Sequence, residues 1–87
     1  MNTLREALQE YIDLRRGLGY KMHDEGLLLP RFVGFMQEHH AEHITVRLAL
    51  EWAQCASVQP AEWARRLCFV RGFARHRSAI DSRTEIP

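Results

Sequence analysis

The spacing of hydrophobic residues predicts four helices separated by short polar breaks. Apolar positions recur every three or four residues, which is typical of helices that bury one face. The first helix begins behind Thr3, which can form a capping box with Glu6, and stops at Gly17 and Gly19. Its predicted buried residues are Leu4, Ala7, Leu8, Tyr11 and Leu14.

A second helix is predicted from Met22 or Asp24 to His39. Pro30 lies inside this segment, and an internal proline removes one backbone hydrogen bond and collides with the carbonyl four residues earlier. We therefore expect the helix to begin before Pro30 and to bend there. The residues predicted to share its buried face are Leu28, Phe32, Phe35, Met36 and His39.

A third, short helix is predicted behind Thr45, whose hydroxyl can cap it, and it ends near Cys55. The next break covers residues 57–60, where Pro60 suits the first turn of a fourth helix that ends between residues 78 and 80. Residues predicted to point inward from the third helix are Leu48, Ala49 and Trp52. The predicted fold is a small all-α four-helix bundle over residues 1–80, followed by the start of a linker at residues 81–87.

The fourth helix carries two unlike faces. Its predicted apolar stripe consists of Trp63, Leu67, Val70 and Ala74, widened by Phe69 and Phe73. The opposite face carries Arg65, Cys68, Gly72 and His76, with Arg71 and Arg75 beside them. Small residues between arginines would let the helix come close to a negatively charged partner. Arg66 and Arg77 border the apolar stripe and are weaker candidates for such a contact.

The charge distribution gives limited support to an anionic partner. The net charge is only +1, but residues 60–87 hold six basic and three acidic residues, whereas residues 1–59 hold six basic and eight acidic ones. Eleven of the twelve basic residues are arginine, which contacts phosphate or carboxylate through two parallel hydrogen bonds. A GC-rich genome, which favours arginine codons, is an alternative explanation of this bias.

Motifs for catalysis, cofactors or metals are missing from the sequence. It contains no Gly-rich phosphate loop, nucleophile elbow or paired-cysteine zinc site, so we expect neither intrinsic catalysis nor a cofactor. His39 and His43 have the i,i+4 spacing of metal ligands, but the helix ends there and no third ligand is placed. A polar helix end is favoured over a metal site. Without a signal peptide or a spanning segment, the chain is expected to be cytoplasmic, with Cys55 and Cys68 reduced.

Five segments, in this order, resemble the N-terminal core-binding domain of the tyrosine recombinase (phage integrase) family. They are LRRGLGYK at 14–21, FVGFM at 32–36, ITVRLALEWA at 44–53, RRLCFVRGFARH at 65–76 and DSRTEIP at 81–87. The family often reads Arg-Leu-Ser-x-Val-Arg-x-Phe in the fourth of these segments, and Cys68 stands here where serine is common. The likeness covers nearly the whole chain.

The resemblance implies a SAM-like orthogonal bundle that clamps duplex DNA together with a separate catalytic domain, with the second and fourth helices toward the major groove. The catalytic residues of the family belong to that other domain, so none is assigned here. The implied partners are duplex DNA, the catalytic domain of the same parent protein and other recombinase protomers, at the nucleoid of a bacterium. By the resemblance, Arg65 and Cys68 occupy groove-facing positions of the fourth helix, and the stretch 21–24 opens the second helix near the DNA backbone. The full set of residues predicted to contact DNA is Lys21, His23, Arg31, Arg65, Cys68, Arg71, Gly72 and Arg75.

Two other functions are compatible with the sequence. One is a small helical protein-interaction module in which Arg71, Arg75 and Arg77 meet an acidic partner. The other is a helix-turn-helix regulator, which is disfavoured because no short helix pair with a recognition helix stands out.

Overall fold

The computed structural model describes residues 3–55 and 59–87, and this part of the chain folds into four helices. Their bounds are α1 (Leu4–Gly17), α2 (His23–Glu38), α3 (Val46–Cys55) and α4 (Pro60–Ser78). The predicted all-α bundle is therefore confirmed. Helix α4 contacts each of the other three helices, and α1 and α3 both pack against α2. Of the break predicted at residues 57–60, residues 57 and 58 lie outside the described residues.

The local signals for helix ends are confirmed. The Thr3 hydroxyl accepts a hydrogen bond from the Glu6 amide at 3.1 Å, and the Glu6 carboxylate accepts one from the Thr3 amide at 3.3 Å. The Thr45 hydroxyl accepts from the Leu48 amide at 3.2 Å, and Pro60 occupies the first turn of α4. These contacts satisfy amides that have no partner inside the helix.

Helix α2 begins before Pro30, as predicted, and continues through it. Its buried face differs from the prediction, because Leu29 and Val33 are fully buried while Leu28 and Phe35 are half-buried against the core. The wider face arises because α2 packs on α1, α3 and α4. In α1, the prediction for Leu14 was wrong: its side chain is 51% exposed, and Ile12 is buried instead.

The buried side of α4 is rotated toward Phe73 relative to the predicted stripe. Val70, Phe73 and Ala74 are fully buried, whereas Trp63 and Leu67 are only half-buried. Helix α4 has neighbours on three sides, so its contact surface is broader than one stripe of large apolar residues. The buried residues of α4 are Arg66, Val70, Phe73, Ala74 and Arg77.

Residues 81–87, called the strap below, lie against the bundle. The Glu85 amide donates to the carbonyl of Ile44 at 2.9 Å, and the Glu85 carboxylate accepts from the Val46 amide at 2.9 Å. Arg83 bonds Asp81 within the strap and reaches Glu42 at 3.6 Å. The strap therefore ties the loop before α3 to the end of α4. The domain boundary at residue 80 stays a prediction.

Candidate nucleic-acid interface

Six of the eight residues predicted to contact DNA have exposed positions, either in and just before α2 or in α4. They are Lys21, His23, Arg31, Arg65, Cys68 and Arg75. The other two, Arg71 and Gly72, are half-buried. The weaker candidates Arg66 and Arg77 are both buried, at 8% and 7% exposure. The two arginines predicted to border the apolar stripe are therefore buried, whereas Arg31, Arg65 and Arg75 are exposed.

Helices α2 and α4 form a shallow groove that brings Arg31 and Arg65 together. On the α2 side, the residues that line the groove are spaced three or four positions apart, so their side chains lie on one face of the helix. Arg65 forms the α4 side of the groove. The lining residues are Asp24, Leu27, Leu28, Arg31 and Arg65. Leu27 is 58% exposed, so this groove presents apolar as well as cationic surface to solvent.

Arg65 is held from three sides. Its Nη2 donates to Asp24 Oδ2 at 2.5 Å, and its Nη1 donates to Glu62 Oε1 at 3.3 Å. Its guanidinium carbon lies 5.1 Å from the centroid of the Phe69 ring, within the range of a cation–π contact. The hydrogen bond with Asp24 raises the pKa of Arg65 further above its ordinary value, so the group stays charged. Both terminal nitrogens of Arg65 therefore have carboxylate partners in this structure.

Arg31 and Arg75 differ from Arg65 in their surroundings. Both are exposed, and neither forms an ion pair with any residue that the structure describes. A guanidinium without an ion-pair partner can meet a phosphate without first breaking an internal contact. Cys68 lies between Arg65 and Arg75 along α4, with a free and exposed thiol.

Arg71 is engaged by the strap. Its Nε donates to the carbonyl oxygen of Pro87 at 2.8 Å, which half-buries the side chain. Helical periodicity predicts that Arg71 lies beside the cationic face of α4, and its partner Pro87 lies 16 residues away in the sequence. No signal within α4 itself points to that contact.

Gly72 faces α1. A Cβ atom at this position would lie 2.7 Å from the Tyr11 hydroxyl oxygen, so a side chain there would force Tyr11 or the helix to shift. Burial raises the pKa of Tyr11, whose ring also contacts Phe73 and His76, with centroids 5.7 and 5.4 Å apart. The small size of Gly72 therefore serves the packing of α1 on α4, in place of the close approach to a ligand that the sequence suggested.

The buried arginines of α4 have partners within the fold. Arg66 lies over the Trp52 ring, 5.0 Å from its centroid, and its Nε donates to Glu62 Oε1 at 3.2 Å. Arg77 is buried near the end of α4, and its positive charge helps to lower the pKa of Asp81. A long aliphatic stem lets arginine cover apolar surface, which fits the burial of Arg66 against the Trp52 ring.

Among residues 3–55 and 59–87, no three His, Cys, Asp or Glu side chains are placed to hold a metal ion. The helices formed by these residues are also too short or too polar to cross a membrane.

Comparison with known proteins identifies a relative of this chain. The chain is 51% identical, over an alignment of 88 positions that covers all of it, to "Putative integrase/recombinase y4rB" from Sinorhizobium fredii. The chain is related over its whole length to an integrase/recombinase. The resemblance stated from the sequence is thereby confirmed. The chain spans 28% of the length of that integrase/recombinase. No family model and no solved structure matches the chain.

The residues that the sequence did not reveal are those that surround the predicted DNA contacts. Asp24 and Glu62 hold Arg65, and Tyr11 covers Gly72. Glu62 lies three residues from Arg65, a spacing at which side chains meet on a helix, so this partner could have been found. Asp24 and Tyr11 are contributed by other helices, and periodicity within α4 gives no signal for them.

Proposed function

We propose that this chain is the core-binding domain of a tyrosine recombinase and holds duplex DNA without catalysing strand exchange itself. The observation that carries the proposal is the 51% identity to an integrase/recombinase over the whole chain. The chain corresponds to 28% of that relative, so the catalytic residues would lie in another part of a longer parent protein. That parent would act in site-specific recombination or DNA integration in the bacterial cytoplasm, with other protomers bound to the same DNA.

The exposure of cationic residues on α2 and α4 supports a DNA-binding role. Lys21, Arg31 and Arg75 project into solvent and form no ion pair with the described residues. Cations of this kind can neutralise phosphates and release the counterions condensed on the duplex, which drives association. Phosphate contacts of this kind fix the position of a protein on DNA without reading its sequence.

The α2–α4 groove supplies candidates for contacts with base edges. Arg65 lines this groove, Cys68 is exposed three residues further along α4, and His23 is exposed at the start of α2. A helix fits the major groove of B-DNA, and arginine is the side chain that most often contacts guanine there. We assign phosphate contacts to Lys21, Arg31 and Arg75, and base-edge contacts to Arg65. Gly72 is left out of this set because Tyr11 covers it.

The test is duplex binding by the 87-residue chain, measured by fluorescence anisotropy at several salt concentrations. Log affinity should fall linearly with log salt, by about 0.9 for each phosphate contacted. Arg31→Ala and Arg75→Ala should each weaken binding and make the slope shallower by about that amount. The matched control is Arg47→Ala, because Arg47 is an exposed arginine of α3 that pairs with Glu51 outside the proposed face.

Two results would contradict the proposal. One is the lack of duplex binding even at low salt. The other is a loss of affinity in Arg47→Ala as large as the loss in Arg31→Ala and Arg75→Ala, because the charge would then act without regard to position.

A further inference from the structure

Arg65 is the arginine best placed in the α2–α4 groove, yet its charge is already compensated. Asp24 contacts Nη2 from across the groove, and Glu62 contacts Nη1 from the preceding turn of α4. Each terminal nitrogen of Arg65 thus already donates to a carboxylate, and these nitrogens are among the donors through which arginine binds phosphate. A phosphate that approached this side chain would meet the negative charge of both carboxylates and would compete with them for its N–H groups.

The carboxylates form a closed network with a second arginine. Glu62 Oε1 also accepts from Arg66 Nε at 3.2 Å, so two arginines share two carboxylates and the network has no net charge. Arg66 is buried against Trp52, so Glu62 is held by a second, buried arginine as well as by Arg65, whereas Asp24 contacts Arg65 from the exposed side of the network. Asp24 is therefore the removable member of the network.

Asp24 is held where it is by α2 rather than by Arg65 alone. It lies in the first turn of α2, where the helix dipole favours an acidic side chain. Its side chain is 50% exposed, so it stands at the mouth of the groove where an approaching polyanion would meet it. A carboxylate at this position both repels phosphate and competes with it for Arg65.

We propose that Asp24 masks Arg65 against phosphate and so restrains binding of the domain to DNA of unrelated sequence. This inference rests on the proposed function for its biological setting. The masking itself is a property of the free domain and can be measured with any phosphate polyanion. Removing the carboxylate charge at position 24 frees one terminal nitrogen of Arg65 for a phosphate oxygen.

The experiment measures binding of the 87-residue chain to a random-sequence duplex and, separately, to inorganic polyphosphate, across a salt series. Asp24→Asn should bind both probes more tightly than the wild type. On the duplex, log affinity should depend more steeply on log salt by about 0.9, the increment for one added phosphate contact. Far-ultraviolet circular dichroism and urea unfolding establish that each variant is folded.

Two controls separate masking from a general change in charge. Asp13→Asn removes the same charge from an exposed aspartate of α1 whose partner is Gln9, at 2.9 Å. Asp24→Asn should exceed Asp13→Asn in its effect on both probes. In an Arg65→Ala background, Asp24→Asn should have no more effect than Asp13→Asn, because no arginine remains to be released.

The outcomes distinguish the inference from the proposed function. A gain confined to polyphosphate, with no duplex binding by any variant, supports masking and rejects the DNA-binding proposal. Equal effects of Asp24→Asn and Asp13→Asn, or weaker binding by Asp24→Asn, overturn the inference even if the wild type binds duplex DNA.

Discussion

The carboxylate of Glu85 accepts a hydrogen bond from the amide of Val46, 39 residues earlier, at 2.9 Å. Val46 is the first residue of α3, so the strap supplies a capping group to a helix that Thr45 caps as well. The negative charge of Glu85 also faces the positive end of the α3 dipole. A segment without helical periodicity therefore takes part in holding the bundle together.

Replacing Glu85 should lower the free energy of unfolding. Glu85→Ala removes both the acceptor and the charge, and we expect a loss of about 0.5–2 kcal/mol, the range for a lost capping group. Glu85→Gln retains an acceptor and should lose less. Urea unfolding followed by circular dichroism measures both. Glu38→Gln, at an exposed position on the end of α2, is the control and should change little. Losses equal to that of Glu38→Gln would mean that the strap does not stabilise α3.

Gly72→Ala should destabilise the domain because the new methyl group would lie 2.7 Å from the Tyr11 hydroxyl oxygen. We expect a loss of about 1–3 kcal/mol, typical of overpacking in a filled site. Gly34→Ala is the matched control, since its methyl group would have only the Arg5 guanidinium as a neighbour, at 3.9 Å. That change should stabilise α2 by up to about 1 kcal/mol through helix propensity.

The clash at position 72 should be relieved by removing one oxygen atom. In a Tyr11→Phe background, Gly72→Ala should cost less than in the wild type, because the next ring atom is 3.8 Å from the new methyl group. Thermal unfolding of the four proteins of this double-mutant cycle measures the coupling. Additive losses would show that the hydroxyl is not the atom that excludes a side chain at 72.

Phe73 and Trp63, both in α4, should differ in their effect on stability. Phe73 is fully buried, and Phe73→Ala should cost about 3–5 kcal/mol through lost contacts and a cavity. Trp63 is half-buried, so Trp63→Ala should cost less despite removing the larger side chain. Urea unfolding decides the order. A larger loss for Trp63→Ala would contradict this order and would support the apolar stripe that helical periodicity predicts.

The Asp81–Arg83 contact predicts an acid-dependent contribution to stability. Hydrogen bonds from the Arg83 side chain and amide lower the pKa of Asp81 from 3.8 to about 2. Since the pKa is lower in the folded state, the contribution is complete above about pH 4 and is lost as the pH falls toward 2. Urea unfolding across this range should show a smaller acid dependence for Asp81→Asn than for the wild type. Identical pH profiles for the two proteins would show that the Asp81–Arg83 contact makes no pH-dependent contribution to stability.

The sequence by itself determined the features that depend on neighbours within a few residues. The capping box of Thr3 and Glu6, the Thr45 cap and the position of Pro60 fixed helix starts through contacts three residues away or less. Periodicity also placed most buried residues of α1 and α3, because each of these helices buries one narrow face. The family resemblance came from the order of such segments along the chain.

The tertiary structure alone decided how the faces of α2 and α4 are used. These helices have neighbours on several sides, so their buried surfaces are broader than one stripe, and the side of Gly72 that looked open is covered by Tyr11. Asp24 meets Arg65 across 41 residues, and Glu85 meets Val46 across 39. Contacts at such separations leave no periodic signal in the sequence, because they exist only once the helices have packed.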